Sequence, residues 1–359
     1  MANKNLNAAK TAKKDEFYTQ LTDIERELQH YWPHFRDKVV LCNCDDPYES
    51  NFFKYFALRF NQLGLKKLIC TCYDGSPVMG TELSLFSLDA EGNEKKTAYK
   101  VEITEVSDVN GDGAVDLADV EYLIQNDKNV LSCLRGNGDF RSRECIELLK
   151  EADIVVTNPP FSLFREYIAQ LMEYEKKFLI VGSSNASHYK DVFSLIKENK
   201  LWLGIKYGDM SFKVPEDYEA RDTRYWQDEY GQKWRSLGNI CWFTNLDHKK
   251  RHEELDLVCR YDAEEYPTYD NFEAIDVSKV QDIPYDYPGV MGVPDTILGQ
   301  LNPEQFEIIG MGSGDLAKQA GVRKNYRGRT DLAYTVNGKP KCPYSRILIR
   351  NKHPQTNSK

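Results

Sequence analysis

The chain has 359 residues, 41% hydrophobic and 29% charged, with a formal net charge of −9, which allows a large core and more than one module. No apolar stretch reaches the ~18 residues of a membrane span, and the polar, lysine-dotted start from Met1 to Lys14 lacks the apolar segment of a secretion signal, so neither a membrane nor export is expected. Nine scattered cysteines are an odd number and fit a reduced cytoplasm better than a disulfide framework.

In chain order, 22–31 reads as a helix, with Thr22-Asp23-Ile24-Glu25 as an N-terminal capping pattern. Residues 38–44 read as a buried strand that runs into Asp45-Asp46-Pro47. An aromatic-rich helix over 51–63 ends at Gly64, and 67–73 is a second strand. Strand, helix and strand make a βαβ unit with parallel strands. The pairs Cys42/Cys44 and Cys70/Cys72 fall in these strands and read as small core residues rather than a thiolate metal site. A helix over 144–150, a strand over 153–157, a helix over 163–174 and a strand over 177–182 continue the alternation. Such alternation predicts a doubly wound α/β sheet.

Residues 84–135 interrupt this pattern. Segments 83–88 and 98–106 read as a hairpin around Glu91-Gly92-Asn93. The run from Asp108 to Asp119 then places oxygen side chains at Asp108, Asn110, Asp112, Asp116 and Asp119, with Gly113 at the sixth position. This spacing resembles single calcium loops of EF-hand and dockerin proteins. It implies a structural calcium ion; a turn that caps the helix over 117–125 is the alternative. Residues 205–237 are polar, charged and aromatic with little apolar periodicity, so a long functional loop is expected there. A strand returns over 238–245, and 261–294 shows little regular pattern.

Two segments carry chemistry. Ile154, Val155 and Val156 suit a strand buried on both faces, and Asn158-Pro159-Pro160-Phe161 follows. The prolines end the strand, since neither can donate to a ladder. A polar amide, backbone carbonyls outside any sheet and an aromatic ring are thereby fixed at the carboxyl end of a central strand, where ligands bind in open α/β sheets. Such acceptors suit an exocyclic amino group, and a ring suits stacking on a flat base. The second segment is 318–359, where Lys318, Arg323, Lys324, Arg327, Arg329, Lys339, Lys341, Arg346, Arg350, Lys352 and Lys359 face only Asp331 in formal charge. Tyr326, Tyr334 and Tyr344 are interleaved with them. Basic residues mixed with aromatics are the footprint of a phosphate-facing surface.

Asn158 to Phe161, together with Asp15-Glu16-Phe17-Tyr18-Thr19-Gln20, Cys42-Asn43-Cys44-Asp45-Asp46-Pro47 and Gly138-Asp139-Phe140-Arg141-Ser142, resembles the adenine-specific DNA methyltransferases of the EcoRI type. The blocks stand in the family's order and cover much of the chain. The resemblance implies a class I methyltransferase (Rossmann-like) sheet, S-adenosylmethionine as cofactor and methylation of adenine N6 in double-stranded DNA. It gives Asn158, Pro159, Pro160 and Phe161 the catalytic role. Phe17, Tyr18 and Thr19 would hold the methionine end of the cofactor, Asn43, Cys44, Asp45 and Asp46 would line the first loop, and Asp139 and Phe140 would meet its adenine. The usual glycine-rich loop is missing after the first strand, so the cofactor's approach to the backbone there must differ.

The expected organisation is a catalytic domain over 1–204, with the 84–135 insertion, followed by a DNA-recognition region over 205–359 that completes the sheet. Arg323, Lys324, Arg327 and Arg329 are the expected DNA contacts. A cognate restriction endonuclease acting at the same site is the implied partner, with a solitary genome-marking methylase as the alternative. An RNA or protein-glutamine methyltransferase, and a catalytically silent DNA-binding module, are the rival readings.

Overall fold

The structure is a computed structural model that describes residues 18–44, 50–72, 98–109, 111, 113, 115–126, 131–214 and 218–355. The chain forms two compact units, Met1–His188 with Gly204–Leu246, and Tyr189–Leu203 with Asp247–Lys359. Residues 204–246 thus belong with the large sheet rather than with the C-terminal segment, and 189–203 belong with that segment.

The first unit holds one mixed sheet. Its strands are β1 (Tyr18–Thr19), β2 (Val39–Asn43), β3 (Lys67–Thr71), β4 (Tyr99–Ile103), β5 (Leu131–Cys133), β6 (Ile154–Thr157), β7 (Lys177–Ser183), β8 (Trp202–Lys213), β9 (Tyr225–Gln227) and β10 (Lys233–Thr244). The order is β1-β8-β10-β7-β6-β2-β3-β4-β5, with β9 on the free stretch of β10. The four central strands β7, β6, β2 and β3 are parallel. On one side β10 runs antiparallel to β7, and on the other β4 and β5 continue antiparallel from β3. Every residue of β2 and β6 is buried, as continuous apolar runs at the centre of a parallel sheet require.

Helices cover both faces, and β10 shows this in two consecutive residues. Trp242 meets Phe52 of the helix Asn51–Leu58, ring centroids 5.9 Å apart. Phe243 points to the other face and meets Phe164 of the helix Phe164–Glu173 at 5.0 Å. A side chain at Gly182 would collide with that Phe164 ring, so the helix approaches the sheet through a glycine. This is the doubly wound α/β sheet that the alternation predicts.

Local details differ from the sequence reading. The first helix spans Leu21–Leu28, and Thr22 lies inside its first turn with no side-chain cap at Gln20. Residues 18–19 pair with β8, so the chain leaves the sheet one residue before the helix. The helix expected over 51–63 breaks at Arg59, where the backbone leaves the helical region (φ −104, ψ 11), and resumes as Phe60–Leu63. Gly64 then takes the left-handed conformation that ends it. Of the hairpin expected to pair 83–88 with 98–106, the first arm lies outside the described residues, and β4 in the second arm pairs with β3 and β5. The loop expected over 205–237 is largely strand, in β8, β9 and the start of β10. Its aromatics stack, Trp226 on Trp234 across β9 and β10 at 6.2 Å and Tyr218 on Tyr225 at 6.4 Å. Cross-strand ring pairs stabilise a ribbon that is wet on both faces, and such a ribbon has no apolar alternation to betray it.

In the second unit β11 (Ile275–Asp276), β12 (Val290–Pro294), β13 (Phe306–Met311) and β16 (Arg346–Asn351) form a sheet in the order β11-β12-β16-β13, and β14 (Tyr334–Val336) and β15 (Lys339–Lys341) form a hairpin. The short strands within 261–294 agree with the weak pattern there.

The first helix is anchored by a buried carboxylate. Glu27 accepts the backbone N–H groups of Ile205 and Lys206, both at 2.8 Å, and the hydroxyl of Tyr31 at 2.9 Å. A buried charge is tolerable only when donors replace its water. Glu27→Ala takes the acceptor from three donors, each worth about 1–3 kcal/mol when stranded, and should lower stability by about 3 kcal/mol or more. Glu27→Gln should fall between. A urea midpoint of Glu27→Ala equal to that of the parent would contradict this account.

Candidate active site

β6 ends at Thr157 and the chain cannot continue as strand, because Pro159 and Pro160 follow. Pro160 stays extended (φ −54, ψ 125) and opens a single tight turn, Phe161–Leu163. The Leu163 N–H closes that turn on the Pro160 carbonyl at 2.9 Å. The helix Phe164–Glu173 starts at once. Asn158 and Pro159 are buried at the strand end, whereas Phe161 is half-buried and leans on the apolar core. A buried amide and a partly open ring thus sit side by side.

β6 lies next to β2, with β7 beyond β6 and β3 beyond β2. The chain therefore turns opposite ways from β2 and from β6, and the crevice between their carboxyl ends is the switch point where α/β sheets bind ligands. Two buried hydrogen bonds span it. The Thr157 hydroxyl donates to the backbone carbonyl of Asn43, and the Tyr167 hydroxyl donates to the Asn43 side-chain oxygen. Burial, and then the neighbouring Cys44 thiol, push the Tyr167 hydroxyl well above its ordinary range, so it remains a proton donor.

The next residue, Cys44, has φ +78. That is the left-handed region, where glycine is usual and a side chain is strained. The missing glycine-rich loop is thus replaced by a cysteine forced into a glycine-like conformation. Past the loop, the Ser50 side chain caps the helix Asn51–Leu58 by accepting the Phe53 N–H at 3.3 Å. Asn51 donates to the Thr19 carbonyl at 2.8 Å, which ties β1 to the start of that helix. The Phe140 ring meets Tyr167 edge-on at 5.0 Å and lies under the Arg141 guanidinium at 5.2 Å. Arg141 grips the Asp139 carboxylate with two bonds, 2.9 and 2.7 Å, and reaches Glu166 at 2.8 Å.

The structure therefore brings Asn43, Cys44, Phe140 and Asn158 around one crevice, and it adds Thr157 and Tyr167. Tyr167 was missed because Phe164, Tyr167, Ile168 and Leu171 read as a plain core stripe; only the fold shows its hydroxyl reaching Asn43. Phe17, Asp45, Asp46, Asn110 and Asp112 lie outside the described residues, as does the side chain of Tyr18.

Among the described residues no group of three or more His, Cys, Asp or Glu is placed to hold a metal ion. In the Asp108–Asp119 loop, Asp108 accepts the N–H groups of Gly111 and Gly113 at 2.7 and 2.8 Å. Asp119 accepts those of Val109 and Asp116 at 2.8 and 2.9 Å, and Asp116 accepts that of Ala118 at 2.8 Å.

The basic residues belong to the second unit. Arg323, Lys324, Arg327 and Arg329 are exposed on a loop closed from both sides. Asn271 donates to the carbonyls of Arg323 and Asp331, both at 2.8 Å, and accepts the Ala333 N–H at 3.0 Å. Asn325 closes the loop from within by accepting the N–H of Arg327 at 2.8 Å and donating to Asp331 at 3.0 Å. The Arg327 guanidinium lies 5.1 Å from the Tyr326 ring centre. Arg346 leaves the expected basic face, whereas Arg350 stays exposed. Arg346 pairs with buried Asp276 at 2.8 Å, and Arg350 with Glu307 at 3.3 Å. Their strand, β16, lies inside its sheet, and the largely buried Arg346 needs a partner there.

The comparisons with known proteins agree with this geometry. A family model described as "Adenine-specific methyltransferase EcoRI" matches residues 5–352. The Type II methyltransferase M.EcoRI of Escherichia coli is 49% identical over 357 residues, covering 98% of each chain. The Type II methyltransferase M.MpnI of Mycoplasma pneumoniae is 36% identical over 351 residues, 96% of this chain and 98% of that one. A Type II methyltransferase from Mycoplasma genitalium is 36% identical over 349 residues. The chain belongs to the EcoRI family of adenine-specific methyltransferases.

Proposed function

We propose that this chain is a site-specific DNA adenine-N6 methyltransferase, acting on a flipped-out adenine in duplex DNA as the modification enzyme of a restriction system. The observation that carries the reading is the buried Asn158 at the carboxyl end of β6, followed by two prolines and a half-exposed ring. S-adenosylmethionine would supply an electrophilic sulfonium methyl. The neutral amides of Asn43 and Asn158 fit a cofactor whose methyl group is already activated for transfer. Asn43, Cys44 and the 45–46 loop are assigned to its binding, with Phe17, Tyr18 and Thr19 at the methionine end and Asp139 and Phe140 at the adenine end. Asp139 already shares its charge with Arg141, so the amino group it meets would join an existing ion pair.

The Asn158 side-chain oxygen accepts one hydrogen of the adenine amino group, and the Pro159 carbonyl accepts the other. Two acceptors set the nitrogen lone pair toward the methyl and match the positive charge that develops on nitrogen. Phe161 stacks on the base, which cannot be reached inside the duplex. The proton lost from nitrogen passes to water. The basic loop of Arg323, Lys324, Arg327 and Arg329 holds phosphates. The setting is a reducing cytoplasm, supported by nine free thiols, and a cognate endonuclease at the same site is the expected partner. A structural calcium in the Asp108–Asp119 loop completes the reading, supported by the spacing of its oxygen side chains.

Asn158→Ala should keep cofactor binding, followed by calorimetry, and lose methyl transfer to DNA, because the missing acceptor acts on the amine. Parental turnover in that variant would refute the role. Phe161→Ala should weaken binding to a duplex with a mismatched target base by ~1–3 kcal/mol.

Replacing Arg323, Lys324, Arg327 and Arg329 by Ala should weaken binding to every sequence. Four lost phosphate contacts should flatten the slope of log affinity against log salt by about 3 to 4 units. An unchanged slope would return the loop to an ordinary solvated surface.

Millimolar calcium should raise the melting temperature, since an ion that binds only the folded state stabilises it. Asp108→Ala with Asp112→Ala should abolish the rise. No shift in the parent protein would leave the loop as a self-capped turn.

A further inference from the structure

The register of β10 fixes where its first half lies. Ile240 pairs with Ser183, the last residue of β7, and the two strands run antiparallel. Residues 233–239 therefore continue past the carboxyl end of β7. Thr157, the last residue of β6, pairs with Ile180, so Asn158 leaves the sheet at that same edge. At about 3.3 Å per residue, this part of β10 reaches about 20 Å beyond it. Burial follows the geometry: Lys233 to Asn239 are half-exposed and Ile240 to Thr244 are buried. β9 widens the projecting part, with Gln227, Trp226 and Tyr225 opposite Lys233, Trp234 and Arg235.

The turn at the far end is built around one carboxylate. Asp228 accepts the N–H groups of Tyr230 and Gln232 at 3.0 and 2.9 Å, and the indole N–H of Trp234 at 2.8 Å. Backbone bonds between Asp228 and both Gln232 and Gly231, each 3.0 Å, close the turn. Gly231 takes φ +81, which suits glycine. This cross-linked turn holds Tyr230 out at its apex with 87% of its surface exposed, above the stacked Trp226 and Trp234, and Trp226 is itself 41% exposed. Between 218 and 238, Arg221, Arg224, Lys233 and Arg235 are balanced by Glu219, Asp222, Asp228 and Glu229. The ribbon is therefore no phosphate clamp, and its chemistry is that of flat rings. A β-ribbon fits the major groove, and side chains inserted between base steps stabilise a distorted stack.

We infer that the β9–β10 turn is a wedge that enters duplex DNA beside the target adenine, with Tyr230 stacking on the bases that the flipped nucleotide leaves behind. The inference rests on the reading of Asn158 to Phe161 as the pocket for that nucleotide. Tyr230 holds the extruded state open from the DNA side and touches neither the cofactor nor the reacting nitrogen.

The test uses the full chain and a duplex carrying 2-aminopurine in place of the adenine that sequencing identifies as methylated. This analogue brightens when it leaves the stack. Tyr230→Ala should reduce the brightening on binding and slow methyl transfer to the unsubstituted duplex by at least about fivefold, the lower end of what one base–aromatic stack is worth. Its affinity for S-adenosylmethionine and its salt slope should stay parental, and Tyr230→Trp should restore both losses. Parental brightening and turnover in Tyr230→Ala would overturn the wedge. So would a uniform loss of DNA affinity with brightening intact, because that is a backbone contact. Asn158→Ala run alongside separates the two readings: unchanged methyl transfer there removes the pocket, whereas unchanged brightening in Tyr230→Ala removes only the wedge.

Discussion

The site depends on one buried tie, the Thr157 hydroxyl donating to the Asn43 carbonyl. The ladder between β2 and β6 pairs Val40 with Ile154 and Leu41 with Val155. Past those pairs the strands part to open the crevice, and the Thr157 side chain spans the gap. Tyr167 then fixes the Asn43 amide from the helix that follows the Asn-Pro-Pro-Phe turn. Hydrogen bonds in so dry a place are electrostatically strong, and leaving one unmade is costly. The width of the crevice, the orientation of Asn43 and the position of Asn158 are thus set together. Two prolines on one side and a left-handed Cys44 on the other keep either strand from continuing across it.

This arrangement accounts for the kind of chemistry the crevice can support. Among the described residues it holds amides, carbonyls, rings and the Cys44 thiol, and the Tyr167 hydroxyl stays protonated. Acceptors of fixed geometry can orient an amine and favour the charge that grows on it, with no proton shuttle required. Charge is dealt with elsewhere in the chain. In a protein of net charge −9, the loop clamped by Asn271 and Asn325 in the second unit gathers four exposed cations, and these are the proposed phosphate contacts. The neutral aromatic ribbon of the first unit provides stacking surface instead.

Much of this was legible in the sequence, for identifiable reasons. Ile154 to Val156 followed by Pro159 and Pro160 can only be a buried strand that stops, and the strand–helix alternation around it fixes the sheet type. The blocks at 42–47, 138–142 and 158–161 pointed to the family. What stayed hidden depends on contacts distant in the chain. Glu27 sits where a surface helix carries charge, yet it is buried because two N–H groups of β8 converge on it. Tyr167 reads as core, and its function lies in one oxygen atom. Arg346 counts as part of a basic face until Asp276 is found beneath it. Within 205–237 Met210, Phe212 and Val214 do alternate into the core, whereas β9 and the start of β10 are partly exposed on both faces and lack the alternation by which strands are recognised.

The central claim is that the crevice beside Asn158 methylates adenine N6 at a defined DNA sequence. Single-molecule sequencing of DNA from cells expressing this chain tests it most directly. The account predicts N6-methyladenine at one adenine of one short recognition sequence, and its absence from cells expressing Asn158→Ala. Unmodified adenine throughout, or the same modification with Asn158→Ala, would contradict it.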